Sequence, residues 1–359
     1  MKMDYNKLKI FVIKNNWSGG TINFFIDALN ELGLKYKSYT LPGWDFFRQR
    51  LIPIRLLSID FIKKRLMKYY LKKINEEIIK EVLEYKPDIF FVQNESDLIP
   101  ETVEFIQSKN IITINNNGDY VFDSARYLYL PISLKFFNYV FYGEKIWLEN
   151  YLRIAPKTKF VKMVGAYSDK YFYPLNNEIL SKRKDLIADL SFAGSAYGFK
   201  AEGHYRVEIL SQVTDLGLKI WGGDRWDRYF EYYPALKSCY QGKHLNFNEL
   251  NILYQNSKIN LNISNPQCIT TFQQRTFEIA AAKAFQIADY KEEIFEYFET
   301  DEIETFKTID ELRDKVKYYL SKPDKREKMA EKAYKRVTSS GHTYKDRMLF
   351  YLKTIFNSN

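Results

Sequence analysis

The strongest constraint on the fold is a repeated alternation of short apolar runs with helical patterns. Helical patterns separate the apolar runs of the first half, and the longest of them covers Ile59–Tyr85. Strands that alternate with helices in this way form a parallel sheet wrapped by helices. The sequence therefore predicts an α/β fold. The predicted strands of the first half are Lys9–Ile13, Leu34–Tyr39, Asp88–Val92, Ile111–Ile114, Tyr139–Tyr142 and Phe160–Val164.

The alternation stops between residues 173 and 188 and then starts again. The intervening stretch, YPLNNEILSKRKDLIA, is polar and basic, which is typical of a linker. A chain of 359 residues is long enough to bury two separate cores. We therefore predict two Rossmann-like domains, over residues 1–172 and 189–340, joined by this linker. The strands predicted after the linker are Leu190–Ala193, Leu218–Trp221, Ile259–Ile263 and a short one around Ile287.

The net charge of +9 is unevenly distributed, with a basic segment at residues 44–73. Nine lysines and arginines in this segment face only two aspartates, and aromatic residues such as Phe46, Phe47 and Phe61 lie among them. A segment of this kind can lie on an anionic membrane surface, and it can equally form an ordinary solvated helix face. Nucleic acid is not expected as a partner, because no reading motif accompanies the charge.

Features of targeting and redox chemistry are weak in this sequence. The apolar run Ile10–Ile13 is too short for the core of a signal peptide, and no window approaches a membrane span. Cys239 and Cys268 lack Cys-x-x-Cys spacing and are expected to be inert thiols. The protein is therefore predicted to be cytoplasmic, with a peripheral position at the inner face of the membrane if the basic segment binds lipid.

Ligands of open parallel sheets bind beyond the carboxyl ends of the strands, which directs attention to the loops that follow them. Trp17, Ser18 and Gly19 follow the first predicted strand in a small-residue turn before a helix. Glycines at such a turn allow a ligand to approach the backbone, so these residues are candidates for the acceptor side of a site. A plain turn explains them equally well.

Amides and carboxylates follow two later strands of the first half. Asn94 and Glu95 come after one strand, and Asn117 and Asp119 come after the next. Asn94 and Asn117 could hydrogen-bond the hydroxyls of a polyhydroxylated acceptor. Glu95 and Asp119 could each take a proton from an attacking hydroxyl, which makes them the candidate catalytic bases. The alternative is that these residues cap helices and form turns.

Two glycine turns of the second half are each followed by cationic residues. Gly194 and Ser195 end one strand, with Arg206 a few residues further on, and Gly222 ends the next strand. A glycine-serine turn with nearby cations suits a phosphate or diphosphate.

The stretch 270-TTFQQRTFEIAAAKAFQIADY-290 places polar residues at the entrance of an apolar helix. If the helix starts near Gln274, its free N–H groups and Arg275 can hold a diphosphate. Thr276 lies in the same first turn. Glu278 is three residues after Arg275 and on the same face, where its carboxylate can accept both hydroxyls of a ribose. The alternative is a surface ion pair between Arg275 and Glu278, which would contribute little to stability.

Ordered blocks over residues 189–347 resemble the CgeB-like, or spore-maturation-protein-like, group of GT-B glycosyltransferases. The first half resembles this group only at Asp123-Ser124 and Val140-Phe141. The matching blocks of the second half are DLSFAGS at 189–195, IWGG at 220–223, SKINLN at 257–262, RTFE at 275–278, AFQIADY at 284–290 and HTY at 342–344.

This resemblance implies a GT-B fold in which two Rossmann-like domains face a central cleft and a C-terminal helix, residues 341–359, crosses back onto the first domain. The second domain would bind the nucleotide-sugar donor and the first would bind the acceptor. Glu278 would hold the ribose, Arg275 and the Gly194-Ser195 turn the diphosphate, and the loop at Lys243 and His244 the base. His342 lies in a matching block and is expected to be structural. His204 or His244 could reach the phosphate or the base, and the alternative for each is an ordinary surface histidine.

The resemblance further implies that the co-substrate is a UDP-, GDP- or dTDP-sugar, with no other cofactor. No metal is expected, because the chain contains no Asp-x-Asp pair. Thr270 stands where retaining relatives often have a glutamate, so retaining and inverting mechanisms both stay open. Ala282-Lys283 replaces a usual Cys-Gly, which would point Lys283 to solvent.

The leading hypothesis is sugar transfer to a cell-envelope, glycan, lipid-linked or protein-linked acceptor. The first alternative is a two-domain protein that binds a sugar or nucleotide without turning it over. The second is a membrane-surface interaction protein that uses the basic segment.

Overall fold

The computed structural model describes residues 5–15, 20–42, 60–94, 97–122, 129–196, 201–242 and 244–356. The chain forms two compact units. The first unit comprises Met1–Met163 and Met348–Asn359, and the second comprises Val164–Arg347.

The first unit contains a six-stranded sheet in which every neighbouring pair of strands is parallel. Its strand order is β2-β1-β3-β4-β5-β6. Two strands inside the sheet, at 9–14 and 89–93, have apolar interiors because helices cover both faces of a parallel sheet. The strands are β1 (Lys9–Lys14), β2 (Lys35–Thr40), β3 (Ile89–Gln93), β4 (Ile112–Asn117), β5 (Tyr139–Tyr142) and β6 (Lys159–Lys162).

Helices connect these strands and bury one apolar face each. The described helices of the first unit are α1 (Ile22–Glu31), α2 (Asp60–Tyr85), α3 (Pro100–Ser108), α4 (Leu130–Ser133) and α5 (Leu148–Ile154). In α2 the buried residues Tyr70, Ile74, Ile78 and Val82 recur every four positions, as a helix packed on a sheet requires. Exposed charged side chains of α2 include Lys64, Arg65 and Lys68.

The second unit contains a five-stranded parallel sheet with the order β11-β10-β9-β7-β8. Its strands are β7 (Ala188–Ala193), β8 (Leu218–Trp221), β9 (Ser257–Asn262), β10 (Gln286–Asp289) and β11 (Glu304–Phe306). Its helices are α6 (Asn177–Ser181), α7 (Ala201–Ser211), α8 (Pro234–Cys239), α9 (Phe247–Asn256), α10 (Arg275–Ala281), α11 (Ile309–Leu320) and α12 (Pro323–Ser339). Asn246 starts α9 with a capping box, in which its side chain accepts from the Glu249 N–H and the Glu249 side chain accepts in return.

The last helix, α13 (Tyr344–Phe356), starts in the second unit and continues into the first from Met348. In the first unit the Tyr351 ring stacks on Phe141 with 3.8 Å between ring centroids. The Tyr351 hydroxyl donates to the Asn116 side chain at 3.0 Å. The prediction that the C-terminal helix crosses back to the N-terminal domain is confirmed by these contacts.

Each sheet has one position where the strand order reverses, and ligands of doubly wound folds bind there. In the first unit it lies between β1 and β3, where the Gln93 side chain donates to the Thr21 hydroxyl. In the second unit it lies between β7 and β9, so the loops that begin at Gly194 and Ile263 border it. The candidate residues of the second unit are arranged around this second reversal.

Candidate functional site

The turns after β7 and β8 are locked together by glycines and a tryptophan. The indole N–H of Trp226 donates to the Gly194 carbonyl at 2.9 Å, and the Gly194 N–H donates to the Trp221 carbonyl at 2.8 Å. A Cβ atom on Gly222 would lie 2.3 Å from the Gly194 oxygen and 2.5 Å from Trp226 Nε1. No side chain fits at these distances, so the close approach of the two turns requires glycine at position 222.

Arg206 spans the reversal point from its position on α7. Its guanidinium donates to the Ile263 carbonyl at 3.3 Å, the Ser195 carbonyl at 3.1 Å and the Gln273 side chain at 3.3 Å. The side chain is only 2% exposed, because the ring of Phe192 also covers it. The sequence pattern predicts Arg206 as a ligand of the donor phosphates. In the structure its hydrogen bonds join the loop after β7, at Ser195, to both ends of the loop between β9 and α10, at Ile263 and Gln273.

Arg275 brings the start of α10 next to the first glycine turn. A Cβ atom on Gly194 would lie 3.3 Å from Arg275 Nη1, so the absence of a side chain at position 194 leaves room for the guanidinium. The predicted diphosphate residues Gly194 and Arg275 are thus neighbours. The turn itself borders Arg206 through Ser195, which places all four predicted residues in one area of the second unit.

Glu278 is the buried acid of this area. Its side chain is 3% exposed, and the Gln274 amide donates to its Oε1 at 3.0 Å. Burial raises the pKa of Glu278 to about 7, while the Arg275 guanidinium and the Gln274 hydrogen bond limit the rise. Tyr254 of α9 also interacts with Arg275 and Glu278, and burial raises its pKa above the ordinary value. Arg275 and Glu278 are therefore not the exposed surface pair that was the alternative interpretation.

The expectation of free N–H groups at the start of α10 is wrong for three of its first residues. The N–H of Thr276 donates to the Gln273 carbonyl, and those of Phe277 and Glu278 donate to the Gln274 carbonyl. The helix is only seven residues long. A diphosphate in this area would be held by Arg275 rather than by these amides.

Thr276 belongs to a separate polar cluster inside the sheet layer. Its hydroxyl accepts from Asn262 Nδ2 at 2.8 Å, and its carbonyl accepts from the Gln286 amide at 2.9 Å. Asn262 also donates to Gln286 Oε1 at 2.9 Å. The side chain of Thr276 therefore helps to fix α10 on β9 and β10, and its prediction as a donor ligand has no support from its position.

A buried ion pair at the carboxyl end of β10 was not predicted from the sequence. Asp289 accepts from the Ser264 N–H at 2.8 Å and pairs with Lys291 at 3.2 Å. Burial and the neighbouring Asp289 raise the pKa of Tyr205 to about 12. The available signal was the position of Asp289 as the last residue of an apolar strand in a parallel sheet.

The histidines differ in their surroundings. His244 is exposed, with Nδ1 3.1 Å from the Leu245 carbonyl, while Lys243 lies outside the described residues. His342 is buried, stacks on Phe277 with 4.6 Å between centroids and interacts with Arg347 at 3.0 Å. Burial lowers the pKa of His342 to about 4, so it is neutral at physiological pH.

In the first unit, the ends of β3 and β4 bring three predicted residues together. Asn94 donates to Asp119 at 3.5 Å and accepts from the Gly118 N–H at 3.1 Å. Asn117 is buried and donates to the Tyr151 hydroxyl at 2.9 Å, so its amide is directed into the core. Glu95, Trp17, Ser18 and Gly19 lie outside the described residues.

The described part of the chain shows neither a cluster of metal ligands nor a membrane-spanning helix. No group of three or more His, Cys, Asp or Glu side chains there is arranged to hold a metal ion. No helix among the described ranges combines the length and the apolar character that a membrane span requires.

Comparison with known families gives a match in the second half of the chain. Residues 206–353 match the family model described as glycosyl transferase-like. This segment contains Arg206, Gly222, Arg275 and Glu278. A comparison with curated proteins found no match.

Solved structures with a similar fold cover nearly the whole chain. Sucrose-phosphate synthase from Thermosynechococcus elongatus has a TM-score of 0.69 at 12% identity and covers 98% of this chain and 100% of its own. A UDP-forming trehalose-phosphate synthase from Burkholderia xenovorans has a TM-score of 0.62 at 10% identity, with coverages of 96% and 98%. Anabaena HepE in complex with UDP and glucose has a TM-score of 0.58 at 11% identity, with coverages of 97% and 100%. These likenesses confirm the predicted GT-B fold.

Proposed function

We propose that the protein is a glycosyltransferase that moves a sugar from a nucleoside-diphosphate donor to an acceptor, and that it belongs to the CgeB-like group. The observation that carries this proposal is the buried Glu278 beside Arg275 and the Gly194 turn. A buried carboxyl group whose pKa is raised by burial while a neighbouring guanidinium favours its charged form is a costly feature, and such groups are concentrated at functional sites. The glycosyl transferase-like family model, which covers Arg275 and Glu278, supports the proposal.

In this mechanism the residues of the second unit bind and orient the donor. Glu278 would accept hydrogen bonds from the ribose hydroxyls, and Arg275 would pair with the diphosphate that leaves with the nucleoside. A cation fixed beside the leaving group stabilises the charge that develops there as the bond to the sugar breaks. Arg206 would hold the loops in place for this contact. Transfer would depend largely on placement of the donor, with retaining and inverting mechanisms both open.

UDP is the first nucleotide to test, because two proteins of similar fold are described as UDP-forming or as complexes with UDP. GDP and dTDP serve as alternatives. We expect one of the three to stabilise the protein by about 2.7 kcal/mol at a concentration 100 times its Kd. A thermal-shift series checks this, and release of free nucleoside diphosphate from the sugar donor separates a transferase from a binding protein. If none of the three raises the melting temperature, the proposal is wrong.

The acceptor is proposed to be a glycan or a lipid- or protein-linked group, and α2 favours contact with an anionic membrane. The first fourteen residues of α2 carry six lysines and arginines and one aspartate, whereas the last twelve carry four glutamates and one lysine. This order opposes the helix dipole, so it does not serve helix stability. Phe61 and Tyr69 are 70% and 60% exposed on the basic half, beside the exposed Arg65, Lys68 and Lys72. A basic stripe with exposed aromatic rings suits a surface of acidic lipids.

Charge reversal tests this surface. We expect the protein to co-sediment with vesicles of phosphatidylcholine and phosphatidylglycerol at low salt, and the triple variant Lys64→Glu, Arg65→Glu, Lys68→Glu to lose most of this binding. The matched control is Lys237→Glu, Lys317→Glu, Lys325→Glu, which changes the net charge equally on exposed residues of the second unit. Equal loss of vesicle binding in both variants would indicate a nonspecific effect of net charge. It would contradict the proposal that the basic half of α2 contacts the membrane.

A further inference from the structure

We propose that Gln274 is a positioning residue that, once oriented by Tyr344, sets the proton occupancy of Glu278 and thereby the pH range in which the site binds a nucleoside diphosphate. The effect on nucleotide binding rests on the proposed function. The effect of Gln274 on the proton occupancy of Glu278 concerns the protein without ligand.

The geometry is a chain of two hydrogen bonds. The Tyr344 hydroxyl donates to Gln274 Oε1 at 2.8 Å, and Gln274 Nε2 donates to Glu278 Oε1 at 3.0 Å. A carboxamide has one end that accepts and one end that donates. By occupying the accepting end, Tyr344 turns the donating end toward Glu278. Without this hydroxyl, the amide could present either end.

The backbone of Gln274 is also held in place. A Cβ atom on Gly165 would lie 2.9 Å from the Cβ, 3.1 Å from the Cα and 3.2 Å from the nitrogen of Gln274, so only glycine allows this approach. The Gly165 carbonyl accepts from the Arg347 guanidinium at 3.1 Å, and Arg347 also contacts the Val164 carbonyl. Gln274 is therefore fixed by Gly165 on one side and by the Tyr344 hydroxyl on the other.

The proton affinity of Glu278 depends on few groups. Burial favours the neutral acid, whereas the Gln274 N–H and the Arg275 guanidinium favour the carboxylate. From α9, the phenol of Tyr254 interacts with Glu278.

Among titratable groups on described elements that pack against α10, His342 stacks on Phe277 and contacts Arg347, and burial lowers its pKa to about 4. On α12, Glu331 pairs with Lys283, and at the end of β10, Asp289 pairs with Lys291. Of the described residues, the neutral amide of Gln274 and the guanidinium of Arg275 are the groups that favour ionised Glu278.

Gln274→Met removes the donor and keeps the length of the side chain. We expect the pH midpoint for UDP binding, measured by calorimetry between pH 5.5 and 9, to rise by about one unit in this variant. Affinity would then be about fivefold weaker than wild type at pH 7 and nearly equal at pH 9. The terminal phosphate of UDP titrates at about pH 6. The binding profile of Glu278→Gln shows this contribution alone and serves as the reference.

Tyr344→Phe is expected to move the midpoint in the same direction by a smaller amount, because the amide loses its fixed orientation. Tyr318→Phe is the matched control, since Tyr318 is exposed on α11, and it should leave the profile unchanged. An affinity that falls equally at every pH in Gln274→Met would indicate ordinary structural damage and would overturn the proposal.

A measurement without ligand separates the positioning role of Gln274 from the proposed nucleotide binding. The melting temperature of each variant is compared with that of the same variant carrying Glu278→Gln across the pH series, because this difference reports the protonation of Glu278 alone. A midpoint that Gln274→Met leaves unmoved overturns the positioning role whether or not UDP binds. A shifted midpoint in a protein that binds no nucleotide supports the positioning role and rejects the proposed function.

Discussion

Replacing Glu278 with glutamine is expected to make the protein more stable at pH 8 while it removes most of the affinity for the donor nucleotide. The pKa of Glu278 is raised from an ordinary 4.5 to about 7 by burial. Between these values the folded protein keeps a proton that the unfolded chain releases, so the free energy of unfolding falls as pH rises from 4.5 to 7 and stays lowered above pH 7. Glutamine does not titrate and keeps an oxygen that can accept from Gln274.

The expected gain in the free energy of unfolding is roughly 2 to 3 kcal/mol at pH 8, since each pKa unit corresponds to about 1.4 kcal/mol. Urea denaturation of wild type and Glu278→Gln at pH 8 and pH 5 measures it, and most of the difference should be gone at pH 5. In the same variant the affinity for UDP should fall at least about tenfold at pH 8, because hydrogen bonds from the ribose to a charged acceptor are lost. A variant that is less stable than wild type at pH 8 would show that the carboxylate is stabilised in its ionised form by partners, contrary to the raised pKa.

The second large effect is expected at Gly222, and its neighbour Gly223 supplies the control. A methyl group at position 222 would lie 2.3 Å from the Gly194 oxygen and 2.5 Å from Trp226 Nε1. The turns after β7 and β8 would have to separate, and the buried hydrogen bond from Trp226 would be strained or lost. Overpacking and a lost buried hydrogen bond together suggest a destabilisation of roughly 3 kcal/mol for Gly222→Ala.

Gly223→Ala should be close to neutral, within about 0.5 kcal/mol, because no atom lies within 4 Å of a Cβ at that position and its φ of −74° suits alanine. Thermal unfolding of both variants checks the stability, and a UDP thermal shift checks whether the Gly194 turn still supports binding. Similar melting temperatures for the two variants would contradict the locked arrangement of the turns.

The strands were the most predictable part of this structure. Tyr139–Tyr142 and Leu218–Trp221 are strands with the predicted limits. The first is apolar because it is buried along its whole length, while the second lies at the edge of its sheet and its Lys219 is only half-buried. The edge strand β11 was missed, since its three residues, Glu304, Thr305 and Phe306, carry no periodic signal. The short helix α8 was missed for the same reason.

The candidate site was predictable only where neighbours in sequence form it. Arg275 and Glu278 belong to one helix, so their spacing was sufficient to associate them. Tyr344 contacts Gln274 across 70 positions, and no local pattern indicates such a pair. For Arg206 the local pattern suggested a wrong role. A cation after a glycine turn is typical of a phosphate ligand, but Arg206 donates to the carbonyls of Ile263 and Ser195, which belong to separate loops.

The discontinuity of the first unit determines the order in which the nascent chain can complete its folding. Tyr351 covers the aromatic rings of Phe25, Phe91 and Phe141 in that unit. These rings are synthesised long before Tyr351, so they lack this cover until the last helix has left the ribosome. The second unit is a single continuous segment, Val164–Arg347, and all of its residues precede the part of α13 that belongs to the first unit, which starts at Met348. Of the two units, the first is therefore completed only after every residue of the second has been synthesised.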